Sequence, residues 1–240
     1  MNIKGVFFDL YGTLFRYGDM SAAWADWLSA IHACLQDCGF ETSRESLAGA
    51  WNGFFLRPEP PPRGELTIFE RRIHTACSDL GLNLAEPEAR KVASAGVDAW
   101  RKYVTLDPEA IEVLTVLSDK TLAVVSNYDH PPGVYSLLDK HDLSRFFAAV
   151  VVSGEVGVKK PDPMIFSFAL DRTGLDPAQV VYVGDTQEDV QAAKAAGILP
   201  VRILREPVLL DYTSNGLPEP PASTEDSMTI SRLSDLKGLF

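Results

Sequence analysis

Short apolar segments that alternate with helix-forming stretches constrain the fold of this chain more than any other feature. Residues 121–125, 148–152, 180–183 and 200–204 are such segments, and each is rich in aliphatic side chains. Strands that are joined by helices pair in parallel and bury both faces of their sheet, so their sequences are almost continuously apolar. The sequence therefore predicts an α/β core in which helices cover both sides of a parallel sheet.

Residues 16–104 follow a different pattern and interrupt this core. Apolar side chains recur at helical spacing, whereas strand signals are weak. The expected helices cover residues 21–38, 43–56, 65–80 and 87–103. We therefore predict an all-helical insert, residues 16–104, within a core domain made of residues 1–15 and 105–240.

The core domain begins and ends with weaker signals. Residues 5–9 have the apolar character of one more buried strand. Residues 206–226 carry four prolines and predict a surface excursion. Residues 228–230 and 233–240 predict a last strand and a last helix.

Polar side chains follow three of the predicted strands. These residues are Asp9, Ser126 with Asn127, and Asp185. Ligands of open parallel sheets bind beyond the carboxyl ends of the strands, so we expect these side chains to line one site. A carboxylate at such a position suits a nucleophile, and hydroxyl and amide donors suit an anion. Each residue alone is equally suited to capping a turn or a helix.

Two more segments point to the same site. Pro161 follows Lys159 and Lys160, and a proline holds the residue before it in an extended conformation. An ammonium group at this position suits a negatively charged substrate, although a surface lysine is the simpler interpretation of either residue alone. Asp185 and Asp189 lie four residues apart where a strand turns into a helix, and hard carboxylate oxygens suit Mg²⁺.

The charge balance argues against a nucleic-acid partner. Acidic residues number 33 and basic residues 22, which gives a net charge of −11. A phosphate backbone is repelled by such a field, and the sequence has no stripe of lysine and arginine to overcome it. No apolar run approaches the roughly 20 residues of a membrane helix. The first residues lead directly into a strand without a signal-peptide pattern, so we expect a cytoplasmic protein.

The four polar segments together resemble the haloacid dehalogenase (HAD) superfamily in their order and spacing. They read Phe7-Phe8-Asp9-Leu10-Tyr11-Gly12-Thr13-Leu14, Ser126-Asn127, Lys160-Pro161-Asp162-Pro163 and Gly184-Asp185-Thr186-Gln187-Glu188-Asp189. The resemblance implies a Rossmann-like core, and the helical insert is similar to the type-one cap domain of the family. It implies roles for Asp9 as nucleophile, Lys160 as the motif lysine before the proline, Thr13, Ser126 and Asn127 in anion binding, and Asp185 and Asp189 as the acidic pair.

Tyr11 departs from the pattern of the family's phosphatases. These enzymes have a second aspartate two residues after the nucleophile, which acts as a general acid and base, whereas family dehalogenases have tyrosine there. By resemblance, Tyr11 occupies this catalytic position and is a candidate catalytic residue together with Asp9 and Lys160. Asp185 argues in the other direction, because the dehalogenases replace this acidic residue and need no metal. By resemblance, the side chains of Asp9, Asp185 and Asp189 and the main-chain carbonyl of Tyr11 are the expected ligands of Mg²⁺.

The first interpretation is a Mg²⁺-dependent hydrolase of a small phosphorylated metabolite that acts through an aspartyl phosphate on Asp9. A metal-independent 2-haloacid dehalogenase is the alternative that Tyr11 favours. A protein of this fold that binds a phosphorylated ligand with little turnover is a further alternative. The sequence leaves the substrate and the oligomeric state open, and no arginine of the insert can be matched to a dehalogenase substrate site. Aromatic residues of the insert, such as Trp24, Trp27, Trp51, Phe54 and Phe55, are expected in its core rather than in a pocket.

Overall fold

A computed structural model describes residues 2–39, 41, 43–205 and 228–239. The described residues divide into two compact units. The first unit contains residues 2–16, 105–205 and 228–239, and the second contains the described residues between 17 and 104. The predicted excursion over residues 206–226 lies outside the described residues.

The strands and helices follow the predicted alternation. The strands are β1 (Gly5–Phe8), β2 (Phe15–Tyr17), β3 (Val104–Leu106), β4 (Thr121–Ser126), β5 (Ala149–Val152), β6 (Val180–Gly184), β7 (Leu199–Ile203) and β8 (Met228–Ile230). The α-helices are α1 (Met20–Asp37), α2 (Arg44–Ala50), α3 (Ile68–Asp79), α4 (Glu86–Arg101), α5 (Ala110–Val116), α6 (Pro131–Lys140), α7 (Ser153–Val156), α8 (Met164–Thr173) and α9 (Gln187–Ala195). Short 3₁₀ helices cover Phe54–Leu56, Ser144–Phe146, Pro177–Gln179 and Leu233–Gly238.

The first unit is built on a six-stranded sheet with the order β5-β4-β1-β6-β7-β8. Every adjacent pair is parallel, which confirms the predicted α/β class. All residues of β1 and β6 are buried, as expected for central strands covered on both faces. Because β1 lies between β4 and β6, the residues at the carboxyl ends of these three strands meet at one edge of the sheet. Asp9, Ser126 and Asp185 are those residues.

The second unit contains four α-helices, α1 to α4, around its own apolar core. Side chains cap the starts of three of them. Asp19 accepts a hydrogen bond from the amide of Ala22 at the start of α1, and Ser43 accepts one from the amide of Ser46 at the start of α2. Thr67 forms a capping box with Glu70 at the start of α3.

The aromatic residues of the second unit mostly lie in its core, as the sequence predicts. Trp27, Trp51 and Phe54 are buried there. Trp24 is partly buried and packs against the same core, whereas the ring of Phe55 is exposed.

Three details differ from the predicted elements. The helix expected over residues 43–56 ends at Ala50, and a 3₁₀ helix follows Gly53, whose positive φ of 68° breaks the helical path. The last segment is a 3₁₀ helix rather than an α-helix. The sequence does not predict helix α6, because Pro131, Pro132 and Gly133 are typical of a turn. Prolines are nevertheless well tolerated in the first turn of a helix, where their missing N–H groups need no partner.

The chain leaves the first unit along β2 and returns along β3, and these two strands form a separate two-stranded sheet. In the described part of the chain, no helix has both the length and the apolar character that a membrane crossing requires. The cytoplasmic location stays a prediction.

Candidate active site

Asp9 follows β1 directly and is buried at the edge of the sheet. Its main-chain amide donates a hydrogen bond of 2.8 Å to the carbonyl of Val183 in β6. The sheet ladder therefore continues to the residue that carries the carboxylate, so that its position is set by main-chain pairing rather than by a loop. A carboxylate with so little freedom suits a reaction in which one oxygen must face a substrate atom.

Lys160 is the central cation of the site. Its ammonium nitrogen lies 2.7 Å from Asp9 Oδ1 and 2.7 Å from Asp189 Oδ1. It also lies 2.8 Å from the hydroxyl of Tyr182 and 3.2 Å from the carbonyl oxygen of Val125. Lys159 is exposed, whereas Lys160 is buried among these oxygens. Of the two neighbouring lysines, the structure therefore brings Lys160 to the site.

Asp189 is held on both of its oxygen atoms. Oδ1 accepts from Lys160, and Oδ2 accepts from the amide of Thr186 at 2.9 Å and from its hydroxyl at 2.7 Å. The hydroxyl of Thr186 in turn accepts from the amide of Asp189, which completes a capping box at the start of α9. The capping role and a role in the site therefore coexist in Asp189. A Cβ atom at Gly184 would come within 2.4 Å of this carboxylate, so the close approach requires glycine.

The carboxylate of Asp185 has a different environment. Its Oδ1 is covered by protein, and no described residue forms a hydrogen bond with it. The carboxylate packs against Gly12, which has a positive φ of 85° and lies so close that a Cβ atom there would be 2.1 Å from Oδ2. Oxygen atoms of Asp9, Asp185 and Asp189 lie within 4.8 Å of one another, which suits a shared cation.

Burial and mutual repulsion perturb the protonation of these carboxylates. Burial raises the pKa of Asp9 to about 6 against the opposing charge of Lys160. Burial also raises the pKa of Asp185 well above its usual value, and the charges of Asp9 and Asp189 add to the effect. Burial would raise the pKa of Asp189 too, but the charge and hydrogen bond of Lys160 outweigh it and lower this pKa. One ammonium group therefore does not balance the three carboxylates, and a further cation would.

Thr13, Ser126 and Asn127 have different surroundings at the same edge of the sheet. The hydroxyl oxygen of Thr13 is buried without a hydrogen-bond partner among the described residues. Ser126 is buried at the end of β4. The side-chain amide of Asn127 pairs with the main chain of Lys160. Its nitrogen donates to the carbonyl of Lys160, and its oxygen accepts from the N–H of Lys160, both at 2.9 Å. This pairing positions Lys160, and anion binding by the three residues stays a prediction.

Tyr11 is buried two residues after Asp9. Its ring packs against the ring of Tyr128, with centroids 5.0 Å apart and planes inclined by 37°. The position at which family phosphatases have a short carboxyl group thus carries one ring of an aromatic pair. The expectation that the carbonyl of Tyr11 binds a metal stays a prediction.

Sequence reasoning missed Tyr182 and Thr186. The hydroxyl of Tyr182 lies 2.8 Å from the carbonyl oxygen of Val125 and 3.0 Å from Asp189 Oδ1, so it joins the cluster around Lys160. The signal was a single hydroxyl in an otherwise apolar, fully buried strand. Thr186 had the weaker signal of a residue three positions before an acidic one at a helix start.

A family model described as haloacid dehalogenase-like hydrolase matches residues 3–197. The chain belongs to this family. Two curated relatives of this HAD hydrolase are phosphatases. Phosphoserine phosphatase of Thermus thermophilus is 33% identical over 221 residues, which cover 89% of this chain and 76% of the relative. Phosphoglycolate phosphatase of Salmonella typhi is 37% identical over 215 residues, with 82% and 79% covered.

Solved structures show the same fold. A HAD phosphatase from Thermococcus onnurineus aligns with a TM-score of 0.64 at 20% identity, over 99% of this chain and 97% of the other. A 2-haloacid dehalogenase from Pseudomonas syringae aligns with a TM-score of 0.63 at 22% identity, over 98% and 96%. Because both reaction types share this HAD fold, the fold alone does not choose between them. The type of cap stays a prediction.

Proposed function

We propose that this HAD hydrolase is a Mg²⁺-dependent phosphatase of a small phosphorylated metabolite. The phosphatase relatives support the reaction class. The single observation that carries the metal dependence is the cluster of Asp9, Asp185 and Asp189, in which one buried oxygen of Asp185 has no partner among the described residues. A dehalogenase that needs no metal does not require the carboxylate of Asp185.

The donor set fits a hard divalent ion. Asp9 and Asp185 would hold Mg²⁺ directly, together with the main-chain carbonyl of Tyr11. Asp189 is already hydrogen bonded on both oxygens, so we expect it to contribute mainly through charge and by orienting Lys160. When bound, the ion would offset the carboxylate charge and draw the substrate phosphate towards Asp9.

The chemistry that we assign to the protein's own residues has two steps. An oxygen of Asp9 attacks phosphorus, a bond between that oxygen and phosphorus forms, and the bond to the leaving oxygen breaks, so that the leaving group departs as an anion and takes a proton from solvent. Lys160, Thr13 and Ser126 stabilise the charge on the other phosphate oxygens. Water then attacks phosphorus, which releases inorganic phosphate and regenerates the Asp9 carboxylate.

Tyr11 favours a second candidate, a 2-haloacid dehalogenase. In that reaction Asp9 attacks carbon, and the halide leaves without needing a proton, so the missing general acid does no harm. A protein that binds a phosphorylated ligand with little turnover is consistent with the same residue.

A substrate panel separates these candidates. Phosphate esters and 2-haloacids are each incubated with Mg²⁺ and with EDTA. Phosphate release that EDTA abolishes supports the proposed phosphatase. Halide release that survives EDTA supports the dehalogenase instead, and the absence of both products supports the binding protein.

A further inference from the structure

Arg205 lies two residues after β7, and its guanidinium reaches the turn that follows the proposed nucleophile. Nε donates to the carbonyl of Gly12 at 3.1 Å, and Nη2 donates to the carbonyl of Thr13 at 2.7 Å. The two carbonyls belong to consecutive residues, so the planar guanidinium of Arg205 holds two neighbouring peptide groups of the turn. All of these residues lie in the first unit.

The buried carboxylate of Asp107 forms an ion pair with the guanidinium of Arg205. Asp107 Oδ2 lies 2.7 Å from Nη2 of Arg205 and 2.6 Å from Nε of Arg16, and the side chain of Asp107 is completely covered. Its other oxygen accepts from the amide of Glu109 at 2.8 Å, and its own amide donates to the carbonyl of Leu14 at 2.9 Å. Asp107 is therefore anchored to the same turn that Arg205 holds. A hydrogen-bonded, buried ion pair of this kind defines a geometry more than it adds stability.

The turn has two features that make its position matter for the site. The buried hydroxyl of Thr13 has no hydrogen-bond partner among the described residues. Gly12 packs against the carboxylate of Asp185, so a displaced turn would disturb that carboxylate. Within the turn, the amide of Gly12 bonds to the carbonyl of Phe15 and the amide of Phe15 to that of Leu10, at 2.7 and 2.8 Å.

We propose that Arg205, held by Asp107, is a positioning residue that fixes the Gly12–Thr13 turn for phosphate binding and attack by Asp9. The role in catalysis rests on the proposed function. Arginine is required because its donors lie in one rigid plane and reach two carbonyls and a carboxylate together. The ammonium group of lysine is a point donor without this fixed fork.

The test compares Arg205→Ala and Arg205→Lys with Arg172→Ala. Arg172 is the matched control, because it also donates to a main-chain carbonyl, that of Val150, but on the edge strand β5. The readouts are kcat and KM for p-nitrophenyl phosphate with Mg²⁺, the melting temperature, and hydrogen exchange of the Gly12 and Phe15 amides. Activity is also measured with guanidinium ion added well below denaturing concentrations.

Both Arg205 variants should lose about 10- to 100-fold in kcat, since a small misplacement of reacting groups is this costly. Guanidinium ion should restore part of the activity of Arg205→Ala, while Arg172→Ala should stay near wild type. Exchange of the Gly12 and Phe15 amides should quicken about tenfold or more in Arg205→Ala.

Two results would overturn the proposal. One is kcat/KM within twofold of wild type in Arg205→Ala. The other is unchanged exchange at Gly12 and Phe15 in a variant that loses activity, because Arg205 would then affect activity without fixing the turn. If the wild-type protein releases no phosphate, the proposed function fails. The exchange measurement still decides whether Arg205 fixes the turn.

Discussion

Replacing Asp185 by asparagine tests the metal site through stability as well as activity. The substitution keeps the shape of the side chain beside Gly12 but removes one of the three convergent charges. In EDTA the variant should be more stable than the wild type, because the remaining carboxylates are repelled less. With saturating Mg²⁺ the order should reverse, since the wild type gains more from the ion.

The separation of the carboxylates sets the size of the effect. At 4.8 Å, the upper limit of the distances between these oxygen atoms, an effective dielectric constant of 20 gives about 3.5 kcal/mol of repulsion for each pair of ionised carboxylates, and shorter distances give more. Lys160 offsets part of this repulsion. A carboxyl group with an ordinary pKa of 3.8 also escapes it by taking up a proton, which costs about 4 kcal/mol at pH 7.

We therefore expect Asp185→Asn to gain about 1–3 kcal/mol in EDTA, or about 3–10 °C in melting temperature for a chain of this size. Mg²⁺ at a hundred times its dissociation constant should add about 2.7 kcal/mol to the wild type and distinctly less to the variant.

Thermal unfolding followed by circular dichroism, with EDTA and with a series of Mg²⁺ concentrations, measures both effects. Glu188→Gln is the control, because it removes an exposed carboxylate from the same segment, at the start of α9. Calorimetric titration with Mg²⁺ gives the affinity directly. An unchanged melting temperature in EDTA together with equal Mg²⁺ affinity would show that Asp185 is neither repelled by its neighbours nor a ligand.

Three further substitutions test the other parts of the site. Asp9→Asn should lower kcat by at least about 10³-fold with the fold intact, and kcat within tenfold of wild type would exclude every mechanism that uses this carboxylate. Tyr182→Phe should cost about 1–3 kcal/mol of stability, since buried hydrogen bonds at Lys160 and Val125 are lost, and a melting curve equal to that of wild type would contradict this. Tyr11→Asp should raise kcat/KM for alkyl phosphates more than for aryl phosphates, because a general acid is worth about 10²–10⁴-fold when the leaving group is poor. Equal gains for both substrate types would contradict that interpretation of Tyr11.

The sheet of the first unit was predictable because its strands are buried on both faces. An apolar run such as residues 180–183 leaves little choice of structure, and β6 matches the prediction to within one residue. Parallel pairing then required the intervening helices. Helix α6 was not predictable from the sequence, because a Pro-Pro-Gly segment is compatible with both a turn and a helix start. Only the burial of side chains such as Val134 and Leu138 distinguishes the two.

The site residues also differ in how clearly the sequence indicated them. Asp9 and Asp185 are carboxylates that directly follow apolar segments, where burial of a charge is costly and therefore indicates a functional role. Lys160 was indicated by the proline that follows it and by the family resemblance. Tyr182 gave almost no such signal, because tyrosine is common in strands and only the position of Lys160 gives its hydroxyl a role. Asn127 was recognised as polar and well placed. The sequence did not reveal that its amide would pair with the main chain of Lys160.

Arg202 in β7 and Arg205, two residues after this strand, show why residues that position a loop are the hardest to infer from sequence. Arg202 Nε donates to the carbonyl of Asp185 at 2.9 Å, and Arg205 holds the carbonyls of Gly12 and Thr13. Their partners are main-chain atoms, which every residue has, so no side-chain pattern predicts the contact. Arg202 and Arg205 are three residues apart, yet they hold loops that are separated by more than 160 positions in sequence. Sheet order explains this, because β7 lies beside β6, and β6 lies beside β1. The role of an arginine after such a strand is therefore best inferred from the loops near it, and here one loop contains Asp185 and the other is the turn that follows Asp9.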